Sequence, residues 1–148
     1  MDTTTEEQVN IGELHGSLGF LLRMAQIKVF KMFFARLSRV QLKPGEFTVL
    51  WVIGLNPELK QGTVARYLSI KPAHMTKLVA RLVALGYVER RIPEDDRRAV
   101  HLSLTKSGHR FVDSNREAFL EVMNHEREVL SDTEFAELMR LLHKIVGP

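Results

Sequence analysis

The stretch GYVERRIPEDDRRAVHLSLTKSG, residues 86–108, decides the fold. Val100, Leu102 and Leu104 alternate with His101 and Ser103, the two-residue period of a half-buried strand. Residues 87–92 make a second extended segment, and Pro93-Glu94-Asp95-Asp96 between them supplies turn chemistry. Two strands joined by a charged tip make a hairpin, or wing. Arg90 and Arg91 end the first strand; Arg97 and Arg98 begin the second. Four guanidiniums on one hairpin suit contact with phosphates and a narrow minor groove. Asp96, two residues before Arg98, is placed to orient it and to fix the tip. The competing reading is that acids and bases merely pair across a solvated turn.

Immediately before the hairpin, residues 72–85 read as a helix ended by Gly86. Met75, Leu78, Val79, Leu82 and Leu85 fall on one face at about 100° per residue. The opposite face holds Ala73, Lys77, Ala80 and Ala84, flanked by His74, Thr76 and Arg81. A plain surface helix carries more charge. Small residues let a backbone sink into a groove, and alanine methyls can touch thymine methyls. Lys77 and Arg81 can reach phosphates or guanine edges, and Thr76 and His74 can bond either. A shorter helix over residues 60–68 and a four-residue turn, 69–72, precede it. Together they form a helix-turn-helix. The alternative is an ordinary helix pair whose alanine face packs on a neighbour.

Further out, Pro44 and Glu46 open a buried helix that stops at Asn56-Pro57. Residues 11–40 read as one long helix with Asn10 as its N-cap. After the hairpin, Thr105 caps a helix expected to run to about residue 129. Ser131 and Glu134 form a capping box for the last helix, which carries Leu138, Leu141, Leu142, Ile145 and Val146. That stripe is too apolar to leave wet. The fold expected is mainly α with a small β-hairpin wing: a winged helix-turn-helix with dimerisation helices at both ends. The divisions expected are 1–40 (N-terminal dimerisation helix), 41–108 (DNA-binding domain) and 109–148 (C-terminal dimerisation helices).

Charge is distributed in keeping with that plan. The net charge of +3 says little, but residues 21–44 carry six basic residues and no acid. Residues 71–98 carry seven basic and four acidic, and residues 105–148 carry six basic and eight acidic. A polyanion favours the first two stretches over the third. With no cysteine, disulfides, thiolate metal sites and thiol redox sensing are excluded. The six histidines (15, 74, 101, 109, 125, 143) include no pair three or four apart, so no metal and no cofactor is expected. No glycine-rich phosphate loop, no G-x-S-x-G and no pocket-forming acid pair occurs, so an enzyme is not expected. No apolar run reaches the roughly 20 residues that span a bilayer. The polar, acidic residues 1–10 resemble no signal or transit peptide, so a cytoplasmic location is expected.

The hairpin also resembles the wing of the MarR family of bacterial regulators. Gly86, Arg90, Asp96-Arg97-Arg98, Leu104-Thr105 and Gly108 match that wing in order and spacing, and LVARLVALG (residues 78–86) resembles the family's recognition helix. The resemblance implies a homodimer with intertwined terminal helices, including Ile11, Leu14, Leu18, Leu138, Leu141, Leu142 and Ile145. It implies recognition helices in successive major grooves of a pseudo-palindromic operator, about 34–36 Å apart. Lys71, His74, Thr76, Lys77 and Arg81 become the helix contacts, with Ser69 on a phosphate. Arg98 or its neighbour Arg97 becomes the minor-groove arginine, steadied by Asp96. The resemblance further implies a repressor relieved by a small molecule such as an aromatic carboxylate, and the basic stretch from Lys28 to Lys43 leaves room for a larger anion such as a coenzyme A thioester. The candidate effector residues are His15, Arg23, Phe47 and Trp51: arginine to pair a carboxylate, aromatics to stack a ring. For Phe47 and Trp51 plain core is the stronger alternative, and for Arg23 an intersubunit salt bridge. A rival from another class is a winged-helix module that binds protein and has no affinity for DNA; such modules usually lose the basic wing.

Overall fold

The computed structural model describes residues 8–37, 39 and 41–148, and of residues 126 and 127 the backbone only. A 3-10 turn, Gly12–Gly16, leads to α1 (Leu18–Arg36). Then come α2 (Pro44–Leu55), β1 (Leu59–Lys60), α3 (Gln61–Tyr67) and α4 (Pro72–Ala84). The hairpin strands are β2 (Val88–Arg91) and β3 (His101–Leu104). Last are α5 (Lys106–Met123), a 3-10 turn His125–Glu128 and α6 (Asp132–Val146). This is the winged helix-turn-helix expected from the hairpin. Among the described residues no helix is long and apolar enough to cross a membrane.

Two helices are shorter than their periodicity suggests. The long helix expected over 11–40 is broken by Gly12, which sits at φ 51°, and by Ser17. The Ser17 hydroxyl caps α1 by accepting from the Phe20 amide at 3.4 Å. Asn10 instead caps the 3-10 turn, accepting from the Gly12 amide at 2.9 Å. Residues 1–7, and the end expected at Val40, lie outside the described residues. After Thr105, whose hydroxyl accepts from the Gly108 amide as a cap should, α5 stops at Met123 and gives way to the second 3-10 turn. The Ser131–Glu134 capping box closes reciprocally, at 3.2 and 2.8 Å.

The sheet holds one strand more than expected. Its order is β1-β3-β2, all antiparallel. β1 pairs Leu59 with Leu102 and Lys60 with His101. Two residues are too few for a period to show. The hairpin pairs Val88 with Leu104 and Arg91 with His101, which turns Val88, Leu102 and Leu104 inward.

α2 runs through the centre of the core. Phe47, Val49, Leu50 and Ile53 are buried, with Phe33 of α1, Met75, Val79 and Leu82 of α4, and Leu102 of β3. Phe47 stacks on Phe119 of α5 at 4.6 Å, and Phe33 meets Phe119 edge-on at 5.7 Å. This aromatic cluster joins α1, α2 and α5. Gly108 sets the seat of α5: a Cβ there would lie 2.1 Å from the Tyr87 carbonyl oxygen, so only glycine lets the first turn approach the wing.

The ends of the chain differ from this centre. α6 contributes no buried residue. Leu138, Leu141 and Ile145 stand 42%, 42% and 54% exposed along one stripe. Leu14, Leu18, Leu21, Met24 and Ile27 in and before α1 are likewise exposed.

Candidate nucleic-acid interface

The two helices of the helix-turn-helix are joined by a tight turn with a backbone cause. At the end of α3 the Ile70 amide donates to the Ala65 carbonyl at 2.8 Å, and the Ser69 amide to Arg66 at 3.2 Å. This is a Schellman closure, and it puts Ser69 in the left-handed region at φ 54°. Glycine usually takes that place. The same closure ends α4: Tyr87 donates to Leu82 and Gly86 to Val83, with Gly86 at φ 78°.

Closed in this way, α4 buries Met75, Leu78, Val79 and Leu82 and exposes Ala73, His74, Thr76, Lys77 and Ala80. Lys71, which precedes the helix, is exposed as well. His74, Lys77 and Lys71 make no side-chain hydrogen bond or ion pair among the described residues, so their polar groups are available to a ligand. Thr76 is partly committed. Its hydroxyl donates to the Pro72 carbonyl at 3.0 Å and accepts from the Gln61 side chain at 3.5 Å. Gln61 thereby joins the exposed face, although a lone glutamine opening a short helix carries no signal in the sequence.

Arg81, expected among the contacts, has protein partners in this structure. Its guanidinium turns back into the body, donating to Glu46 at 2.9 Å and to the Gln41 carbonyl. Glu46 is 8% exposed and accepts from the Lys43 amide with its other oxygen, at 2.9 Å. A buried carboxylate needs a cation, and Arg81 is the one in reach. It straps α4 to the first turn of α2 and to Gln41 just before it.

The wing arginines also divide. Arg91 donates through its Nε to Glu58 at 2.7 Å and through a second nitrogen to the same oxygen. The Arg91 hydrogen bond holds the Glu58 carboxyl below the usual range, and Glu58 in turn raises Arg91. Arg90, Arg97 and Arg98 are exposed and make no side-chain bond among the described residues. Asp96 fixes the tip as expected but by another route. Its carboxylate accepts from the Arg98 main-chain amide at 3.1 Å, not from the guanidinium.

A cavity of about 520 Å³ lies beside α4, between it, α1 and the start of α2, and His74 and Lys77 of the exposed face line it. Phe30 and Phe34 of α1 and Leu78 of α4 form apolar wall, and Lys43, Lys77 and Arg81 bring positive charge against the single Glu46. Of the four effector residues expected from the sequence only Phe47 and Trp51 meet, and none of the four lines the cavity. His15 and Arg23 are exposed on the 3-10 turn and α1. Phe47 is core, and Trp51 packs against it and Phe119.

Comparison with known proteins agrees with this geometry. The MarR family model matches residues 40–99. A putative transcriptional regulatory protein for the hcr operon of Thauera aromatica is 30% identical over 90% of this chain and 81% of its own length. The regulator BilQ of Clostridioides difficile is 29% identical, with 87% of each chain covered. Among solved structures, the transcriptional repressor CouR bound to a 23-mer DNA duplex superposes with a TM-score of 0.85 at 28% identity, covering 95% of this chain and 99% of that one. With the helix-turn-helix, the wing and these relatives in agreement, the chain belongs to the MarR family of winged-helix transcriptional regulators.

Proposed function

We propose that the protein is a homodimeric, sequence-specific repressor that binds a pseudo-palindromic operator in the cytoplasm and is released by a small amphipathic anion. The observation that carries this is the set of uncommitted donors on one surface. Lys71 before α4, His74 and Lys77 on it, and Arg90, Arg97 and Arg98 on the wing have no partner within the described chain. Unpaired donors on two neighbouring elements suit base edges in a major groove and phosphates beside it. The likeness to a repressor seated on DNA supports the same reading.

The dimer has its own support. Leu138, Leu141 and Ile145 face solvent, and so do Leu14 and Leu18. An apolar stripe of this kind is expected to meet a second copy of itself.

The effector proposal moves from the residues expected in sequence to the cavity between α4, α1 and the start of α2. Its volume of about 520 Å³ lies within the usual range for a bound small molecule. Aromatic walls and a cationic surplus favour an aromatic or aliphatic carboxylate, free or as a larger thioester reaching out of the opening. Such an anion competes with Glu46 for Arg81 and so loosens the strap on the recognition helix. Because the coupling is a free energy between two sites, DNA must weaken the ligand by the factor with which the ligand weakens DNA.

Fluorescence anisotropy with a labelled duplex from the protein's own upstream region tests the reading. We expect salt-sensitive binding, and release by benzoate, cinnamate or their coenzyme A esters. Binding that none of these reverses removes the effector but leaves the repressor. Failure to bind any duplex at low salt removes the repressor and favours a protein-binding winged helix.

A further inference from the structure

At the root of the wing, Glu58 uses every polar group it has. Its amide donates to the Leu102 carbonyl at 3.0 Å and to the Ser103 hydroxyl at 3.1 Å. Its carbonyl accepts from the His101 ring at 2.7 Å. One carboxylate oxygen takes both donors of Arg91, and the other accepts from the Ser103 hydroxyl at 3.2 Å. The residue sits at φ 63°, a conformation that a side chain as long as glutamate rarely adopts. Two independent features therefore converge on one position: a strained backbone, and a side chain that reaches across to the end of β2.

The consequence is for Arg91. It lies beside Arg90 in the same strand, on a hairpin whose other three arginines have no partner among the described residues. A guanidinium held along its side by a carboxylate, through Nε and one terminal nitrogen, has its charge offset where it would meet a phosphate. A carboxylate tied by Ser103 and by its own backbone is also not free to swing away when DNA arrives.

We propose that Glu58 sets the specificity of the wing by withholding Arg91 from the phosphate backbone, leaving Arg90, Arg97 and Arg98 as the wing's contact set. A cation that grips any phosphate strengthens all sites alike and narrows the gap between operator and bulk DNA. Glu58 removes one such contact. It is a positioning residue, acting through Arg91 and not touching DNA itself.

The proposal rests on the DNA-binding reading, and the two fail differently. If the wild-type protein binds no duplex, the reading is lost. The proposal is judged by differences between variants, measured on a mixed-sequence duplex as the slope of log affinity against log salt. Each phosphate neutralised contributes about 0.9 to that slope. Glu58→Asn keeps a residue that tolerates positive φ but is too short to hold Arg91. It should steepen the slope by about 0.9 and tighten binding to mixed-sequence DNA. Combining it with Arg91→Ala removes both charges and should restore the wild-type slope. A Glu58→Asn slope equal to or shallower than wild type overturns the proposal. So does a double variant about 0.9 below wild type, which would mean that Arg91 grips a phosphate already. If circular dichroism shows Glu58→Asn to be unfolded, the uncharged pair E58Q with R91Q makes the same comparison: a wild-type slope supports the proposal, and a slope about 0.9 lower overturns it.

Discussion

Arg81 and Lys77 stand one helical turn apart on α4, and Arg91 stands beside Arg90 on β2. In each pair one cation is held by the protein and its neighbour is not. Arg81 is taken by Glu46 and Arg91 by Glu58, whereas Lys77 and Arg90 have no partner among the described residues. Sequence position alone assigns all four to DNA. What separates them is the acid that folding brings alongside, from 35 positions away for Arg81 and 33 for Arg91. Which cations have a partner is thus decided by the nearest carboxylate, not by the element they sit on.

Arg81→Ala should break this division most visibly. It leaves the Glu46 carboxylate buried without its cation, at a cost of about 1–3 kcal/mol, less than a fully buried pair because the Arg81 side chain is 45% exposed. Urea unfolding reads this directly. A wild-type midpoint together with weakened operator binding would place Arg81 in the groove after all. Lys77→Ala should do the opposite: unchanged stability, and a loss of about 1–3 kcal/mol on the operator if it reaches a base, measured by anisotropy. On the wing, Arg98→Ala should lower the salt slope by about one unit, with little change in the urea midpoint. An unaltered slope would take Arg98 out of the contact set.

Two smaller effects sharpen the same comparison through the backbone and through pH. Ser69→Gly relieves the left-handed strain in the helix-turn-helix and should raise stability by about 0.5–1 kcal/mol. DNA affinity should hold if Ser69 serves only the turn and fall if its hydroxyl meets a phosphate. The Glu58 carboxyl is held low by Arg91. A carboxylate with a depressed folded-state pKa adds stability above its unfolded pKa and loses it as pH falls through the folded one. The stability gap between wild type and Glu58→Gln should thus be open at neutral pH and close below the ordinary carboxylate range. The change is small, since both partners are about half exposed. A gap independent of pH would mean that the charge of Glu58 does not matter.

The fold was legible because its signals are local. Period two in residues 100–104, the caps at Thr105 and Ser131, and glycine at 86 each act within a few residues. The break before α1 was hidden by apolar residues that keep helical spacing across Gly12 and Ser17. β1 was hidden by its length. The candidate site was legible in outline, as an alanine-faced helix and a four-arginine wing. The sequence does not reveal which arginines stay free, because Glu46 and Glu58 lie on other elements. The effector candidates are read differently once the core is seen. Phe47 and Trp51 pack in the aromatic core where α1, α2 and α5 meet, whereas the cavity is lined by Glu46 and by residues of α1 and α4.

The most direct test is the salt dependence of binding to the protein's own upstream DNA, for wild type beside a variant with Lys77, Arg97 and Arg98 replaced by alanine. Tight binding by wild type that weakens steeply with salt, and that the triple variant loses while still folding, is the result expected. Equal binding by the two proteins, or none by either at low salt, would contradict the account.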